Sequence, residues 1–430
     1  MRYRYLLAFI LLATFAKAQQ QSVDIQFLAP MPIKTSNNAV VEGFIGDNDY
    51  VYSFGGIDET LVPSGIHNRA FRLDILANQW EEIAPLPDPR GKIASSASRV
   101  GDIIYIIGGY YVNTNLTEES SAFVHRYDVV NNVYLPDGQD IPIPIDDQVQ
   151  VVNGPLIYVI TGWSNFRNVT DVQVYDTRTD SWSTATSLPN GNQYSAFGAS
   201  GTIVDNTIYY YGGANGSGFP SSNQLRTGVI SETNPLEIEW SIAPAANRST
   251  SYRNAATTAF GNPVWIGGSV TSYNFDGIAY NGSGGVAPSG DIKQINGGWF
   301  EESAEVPMDL RSVAELTGIV KVIAGGIKGG QEVTDETLLI EFGVTSTKDV
   351  DDTNQGGFTV YPNPAEELIA ITLDDKIDLA LPIEIHTSNG QFVEKVATKS
   401  RSVEIDLSKL KSGVYTVSYT HLTLPTIYSV

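Results

Sequence analysis

The chain has 430 residues, 42% hydrophobic and 17% charged, with 40 Gly, 21 Pro, 22 Tyr and no Cys. That length suits one large domain plus a small one, and zero cysteine excludes disulfides, thiolate metal sites and cysteine nucleophiles. A net charge of −22 repels phosphate backbones and gives no basic patch for anionic lipid, so nucleic acid is not an expected partner.

Residues 1–18 read as a signal peptide. Arg2 and Arg4 supply the positive start, Leu6 to Phe15 the apolar core, and Ala16-Lys17-Ala18 the cleavage signal before Gln19. The apolar run is short for a membrane span and no later segment qualifies, so the mature chain is expected to lack a transmembrane span and to lie outside the cytoplasm.

Residues 19–343 carry an internal repeat. Short apolar runs end in a glycine pair six times: Gly55-Gly56, Gly108-Gly109, Thr161-Gly162, Gly212-Gly213, Gly267-Gly268 and Gly325-Gly326. The second positions recur every 51 to 58 residues. Each run then leads to a strand ending in an apolar residue plus Asp, as in Leu73-Asp74, Tyr127-Asp128 and Tyr175-Asp176. A Trp opens the next strand at Trp80, Trp182, Trp240 and Trp299, with Tyr134 in the second repeat. A run of apolar strand, Gly-Gly, Tyr and Trp at a period of about 50 residues resembles the kelch motif, one four-stranded blade per repeat.

The resemblance implies an all-β fold, a six-bladed kelch-type propeller. The sixth repeat lacks a fourth strand, and Phe27-Leu28-Ala29-Pro30-Met31-Pro32 copies the fourth-strand ending Glu82-Ile83-Ala84-Pro85-Leu86-Pro87. The N-terminal strand is therefore expected to complete the last blade and close the ring. The repeats depart from one another in places. The third has Thr161 for the first glycine, and the fifth is stretched around Asn281-Gly282-Ser283-Gly284-Gly285, an expected surface loop.

Residues 344–357 read as a polar linker, Lys348-Asp349-Val350-Asp351-Asp352 then Gln355-Gly356-Gly357. Beyond it stand Tyr361-Pro362-Asn363-Pro364, Ser388-Asn389-Gly390 and Leu410-Lys411-Ser412-Gly413-Val414-Tyr415. Residues 358–419 resemble the C-terminal sorting domain of the type IX secretion system of Bacteroidetes, a small β-sandwich. That resemblance implies passage through the periplasm by way of the type IX machinery, then secretion or display on the outer-membrane surface. Residues 420–430 form an atypical tail.

A propeller binds ligands on its loop face and at the channel mouth. Arg90, Arg253 and Arg311 hold matching positions in three blades, and their forks suit a shared anionic group. Asp147, Tyr194, Tyr111 and Trp163 complete the candidates. The favoured expectation for the arginines is that they pair with neighbouring carboxylates and hold blades together. Asp146-Asp147 reads as lone surface acids, since neighbours on a strand point to opposite faces.

No metal motif of zinc spacing, nucleophile elbow or phosphate loop is present, and neither cofactor nor metal is expected. The first functional expectation is a binding module for glycan or protein ligands at the cell surface, including carbohydrate. The alternative is a sugar-modifying enzyme resembling sialic-acid mutarotase or epimerase, using Arg253 or Arg311 with Glu42, Glu315 or Asp147. Galactose-oxidase-like copper chemistry is excluded because its cofactor requires a cysteine.

Overall fold

The computed structural model describes residues 21–243, 248–295 and 298–344, and parts of 358–426. The signal-peptide reading at 1–18, the linker beyond 344, and the motif residues 362–364, 388–390 and 411–414 lie outside the described residues. Two compact units are distinguished, one of them Val23–Phe342.

That unit is a ring of six four-stranded antiparallel sheets. The innermost strands are Ala39–Ile45, Ile93–Val100, Val149–Asn153, Phe197–Val204, Ala255–Ala259 and the short Ala314–Glu315. Second strands such as Ile103–Val112 are almost continuously buried because both faces meet neighbouring blades. Each seam is an apolar layer. Tyr52 and Phe54 of blade one pack with Ile104, Ile106 and Tyr127 of blade two. Tyr158 and Ile160 of blade three pack with Ile208 and Tyr210 of blade four.

The last blade contains the expected closure. Its sheet order places Gln21–Phe27 outermost, beside Thr337–Val344. Val23 and Ile25 pack on the seam formed by Ile266, Ile323, Leu338 and Ile340. Trp80 of blade one donates its indole N–H to Ala29 O at 3.0 Å and Thr337 Oγ1 at 3.1 Å, tying first and last blades together.

The paired glycines link blades through the backbone. The second residue of each pair donates its N–H to a carbonyl of the following blade: Gly56 to Lys92, Gly109 to Ile145, Gly162 to Ala196, Gly213 to Ser251, Gly268 to Pro307 and Gly326 to Thr35, at 2.8–3.4 Å. The last of these closes the circle. The first residue sits so close to the same carbonyls that a Cβ at Gly108 would lie 2.3 Å from Ile145 O. Gly108 also has φ +68, so a side chain there is doubly disfavoured. Thr161 keeps the left-handed backbone (φ 47). It occupies this tight place because its hydroxyl bonds Ala196 O at 2.8 Å and accepts from Ala196 N at 2.7 Å.

Nearer the axis lies a second belt. Asn37, Ala94, Asp147, Gly198, Arg253 and Asp309 open the six inner strands with φ between 48 and 66. Hydrogen bonds run Ala94 to Asn37, Asp147 to Ala94, Gly198 to Asp147 and Arg253 to Gly198; Leu310 N to Arg253 O and Asn37 N to Asp309 O complete the collar.

In the other unit, Phe358–Tyr361, Leu368–Leu373 and Ser402–Asp406 form one described sheet. Phe392–Val396, Ile383–Thr387, Tyr415–Tyr419 and Leu422–Thr426 form another, in that order.

Removing residues 21–31 would strip the outer strand from blade six and leave Leu338, Ile340 and Phe342 uncovered. The melting temperature should fall by roughly 5–10 °C or more; an unchanged melting curve would show that ring closure does not depend on this strand.

Candidate functional site

The collar places three of its side chains in one buried ionic cluster. Arg253 forks onto Asp147, Nε at 3.0 Å and Nη2 at 2.7 Å, while Nη1 reaches Asp309 at 3.1 Å. Arg311 Nη1 lies 2.8 Å from the same Asp147. Two arginines thus face two aspartates, and all four are buried. Burial pushes the Asp147 carboxyl up, but Arg253 and Arg311 outweigh it and hold it below the usual carboxylate range. Tyrosines cover the cluster. Arg253 stacks over Tyr252 and Tyr273, donates to Tyr110 Oη at 3.4 Å, and Tyr273 donates to Asp309 at 3.2 Å.

Tyr273 belongs to the fifth-blade insertion. Its Asn281–Gly285 tip is largely exposed, as expected of a surface loop. Its flanks are not surface: Tyr273, Phe275, Ala279 and Val286 are buried over the mouth of the ring.

Several expectations change here. Asp146 and Asp147 are not surface acids; they are 4% and 2% exposed. They do diverge, since Asp146 accepts from Ser120 Oγ at 2.5 Å, away from the arginines. Burial, with the neighbouring Asp147 charge, raises the Asp146 carboxyl well above its ordinary range. Arg253 takes up the blade-holding role, because its fork is filled by Asp147 and Asp309. Arg311 pairs with Asp147 by charge and donates Nη2 to Gln148 O at 3.3 Å, while its Nε and Nη1 are buried without a hydrogen-bond partner. Arg90 does not join them. It lies half-exposed over the Tyr111 ring, 3.6 Å from its centroid, and 3.4 Å from Glu119. Tyr111 is buried and donates to Asp88. Tyr194 is half-buried against the blade-three and blade-four core, its carbonyl accepting from Tyr210 at 2.9 Å.

Glu42 and Glu315 lie several residues further along their inner strands, past the collar. They line an axial cavity of about 240 Å³ with Arg99, Gln150, Thr202 and Thr258. Glu42 accepts from Arg99 Nε at 3.3 Å and from the Glu315 amide at 3.1 Å. Among the candidate acids, only Asp147 meets the arginines.

A larger cavity, about 400 Å³, opens on the loop face between blades three and four. Blade three supplies Trp163, Arg167, Asn168 and Thr170, the connection supplies Gly191, Asn192 and Ser195, and blade four supplies Asn215, Gly216 and Phe219. The first three come from a two-strand ribbon, Trp163–Ser164 paired with Arg167–Asn168, and Thr170 follows it. Asn165 makes its tight turn possible with φ 49, and exchanges hydrogen bonds with Ser120 of blade two. The Trp163 backbone is bridged in both directions to Asp146. Its ring is held edge-on by Phe197 and Phe219, each centroid 5.4 Å away.

The polar groups of this cavity stand out by what they lack. Trp80, Trp182, Trp240, Trp265 and Trp299 all donate their indole N–H inside the protein. Trp163, half-buried, has no acceptor among the described residues. Asn168 Oδ1 is buried without a donor. Partly enclosed polar groups normally find partners, so groups left open around a concavity suit a ligand. Of the residues lining this cavity the sequence singles out Trp163, and nothing in it marks Arg167, Asn168 or Phe219. The Trp163–Asn168 ribbon has no periodic signal; only its Trp stood out.

A kelch-repeats domain model, KLHDC2/KLHL20/DRC7, matches residues 30–213, and a secretion system C-terminal sorting domain model matches 359–426. The chain is a kelch-repeat propeller protein with a secretion sorting domain. The sorting domain marks this kelch protein for export to the cell surface or the medium. The match extends past residue 419 into the strand Leu422–Thr426. Curated relatives include Kelch-like protein 36 of Bos taurus, 26% identical over 169 residues, which covers 38% of this chain and 26% of that protein. Kelch-like protein terF of Aspergillus terreus is 27% identical over 157 residues, 35% of this chain and 33% of that protein. The alignments thus span only about a quarter to a third of those relatives. The solved structure of YjhT superposes with a TM-score of 0.59 at 16% identity, covering 75% of this chain and 97% of YjhT, a likeness of fold. Among the described residues no helix is long and apolar enough to cross a membrane, and no group of three or more His, Asp and Glu is placed to hold a metal ion.

Asp147→Asn keeps the side-chain shape but leaves two buried guanidiniums facing one aspartate. It should cost about 3–5 kcal/mol, read by denaturant unfolding; a loss below about 1 kcal/mol would mean the cluster adds little to stability. A second expectation concerns pH. Burial, then the Lys92 charge, pushes His125 down to about 4 from an ordinary 6.5. The unfolded chain therefore binds a proton that the folded chain refuses between pH 6.5 and 4, and stability falls across that window as pH is lowered. His67 is pushed down to about 4 as well, chiefly by burial, so His125→Asn should reduce that slope and His67→Asn with His125→Asn should flatten it further.

Proposed function

We propose that this exported kelch propeller is a binding module that takes a glycan in the loop-face cavity between blades three and four. The observation behind it is the open indole N–H of Trp163, set in a fixed aromatic frame at the edge of the cavity. An aromatic face suits the apolar side of a sugar ring, and amide groups suit its hydroxyls. Asn215 is held in place by Ser195 Oγ at 2.8 Å, so part of the wall is preorganised before any ligand arrives. Export to the cell surface or the medium supports the reading, because saccharides are available there.

A sugar-modifying enzyme at the axis is the less favoured reading. Arg253 is filled by carboxylates and roofed by tyrosines, and Arg311 is buried against the same Asp147, so a substrate anion would have to enter a closed cluster and compete with a buried 2.7 Å ion pair.

A glycan array with the purified protein, followed by titration calorimetry on the hits, tests the proposal. Trp163→Phe, which keeps most of the packing on Phe197 and Phe219 but removes the indole N–H, should weaken binding by about tenfold while leaving the melting temperature nearly unchanged, whereas Trp163→Ala should lower both. Absence of array hits together with accelerated anomer exchange of sialic acid by NMR would overturn the reading in favour of the enzyme.

A further inference from the structure

Arg167 stands at the rim of the same cavity, exposed, on the strand that follows the ribbon turn. The other arginines of the propeller are engaged. Arg69, Arg72, Arg90, Arg99, Arg126 and Arg178 each face a carboxylate. Arg253 and Arg311 share Asp147, while Arg226 and Arg248 are bound by backbone carbonyls. Among the described residues Arg167 alone has no carboxylate, carbonyl or ring partner. This is unexpected in a chain with 48 acidic residues against 26 basic ones, where a surface guanidinium readily finds an acid.

We propose that the loop-face cavity selects saccharides that carry a carboxylate, with Arg167 receiving it. This rests on the cavity being a saccharide site, and it adds the class of saccharide. Two open groups of different chemistry line it. The Trp163 N–H donates to a neutral acceptor, and the Arg167 fork matches the two oxygens of a planar carboxylate. An aldohexose offers the first partner, and only its uronic acid offers the second. The overall charge of −22 repels an anion at long range. Selectivity must therefore arise from contact at Arg167, not from steering. Moderate salt screens the exposed charges of the chain beyond about 8 Å and should not abolish the preference.

The experiment compares short oligomers of glucuronic acid and of glucose with the same linkage, titrated calorimetrically into the purified protein and its variants. The acidic oligomer should bind about tenfold more tightly than the neutral one. Arg167→Gln should weaken the acidic oligomer about tenfold relative to the neutral one and so remove that difference, and Arg167→Lys should restore part of it. Trp163→Ala should weaken both oligomers alike. Arg167 is exposed at the end of a ribbon, so the variants are expected to melt with the wild type, which a thermal scan checks. Equal wild-type affinities, or a preference that survives Arg167→Gln, would overturn the carboxylate assignment and leave the saccharide site standing. Failure of both oligomers and of an array to bind would remove the saccharide site and this inference with it.

Discussion

The molecule depends on a circle of backbone hydrogen bonds that no single blade can complete. Each blade is too thin to bury its own two apolar faces, so each relies on the next. The amide of the second residue in each glycine pair fixes the distance between neighbours, and the sixth, from Gly326 to Thr35, returns to the first blade. The apolar seams then set themselves around that spacing. The N-terminal strand and Trp80 reinforce the closing seam, the one place where the chain does not run continuously from blade to blade. Closure also covers the outward edge of Thr337–Val344, so the last blade has the same four strands as the others in a protein with no disulfides.

Much of this was legible in the sequence because it is periodic. Six glycine pairs in register give the blade count, and an orphaned fourth-strand ending at the wrong end of the chain gives the closure. The same logic explains the exception at Thr161, once its hydroxyl is seen bonding the carbonyl that a bulkier apolar side chain would strike. The collar was harder to foresee. Its six residues, Asn37, Ala94, Asp147, Gly198, Arg253 and Asp309, share a backbone conformation and almost no side-chain chemistry. A pattern of φ angles carried by unlike residues leaves little trace in an amino-acid string.

The site was only half legible for a related reason. Arginines in matching positions do meet an acid at the axis, but whether such a group is open or filled depends on partners from distant blades. Asp147 and Arg253 are 106 positions apart, and Asp309 lies a further 56 away. Sequence shows the donors and not the occupancy. Trp163 was conspicuous, whereas Arg167 and Asn168 became meaningful only once their lack of partners was known. The fifth-blade insertion shows the same limit. Its glycine-rich tip suggested a loop in water, yet the Tyr273 and Val286 flanks fold down as a roof.

The collar has a further effect on how the two sides of the disc relate. Six amides bonded head to tail, with a salted, tyrosine-capped knot seated on them, make the hub a floor instead of a bore. The arginine knot lies buried under its tyrosine roof, and the cavity lined by Glu42 and Glu315 opens past the collar. Neither glutamate shares a hydrogen bond or ion pair with the knot, so the chemistry of that cavity can change without breaking the cluster that holds the ring.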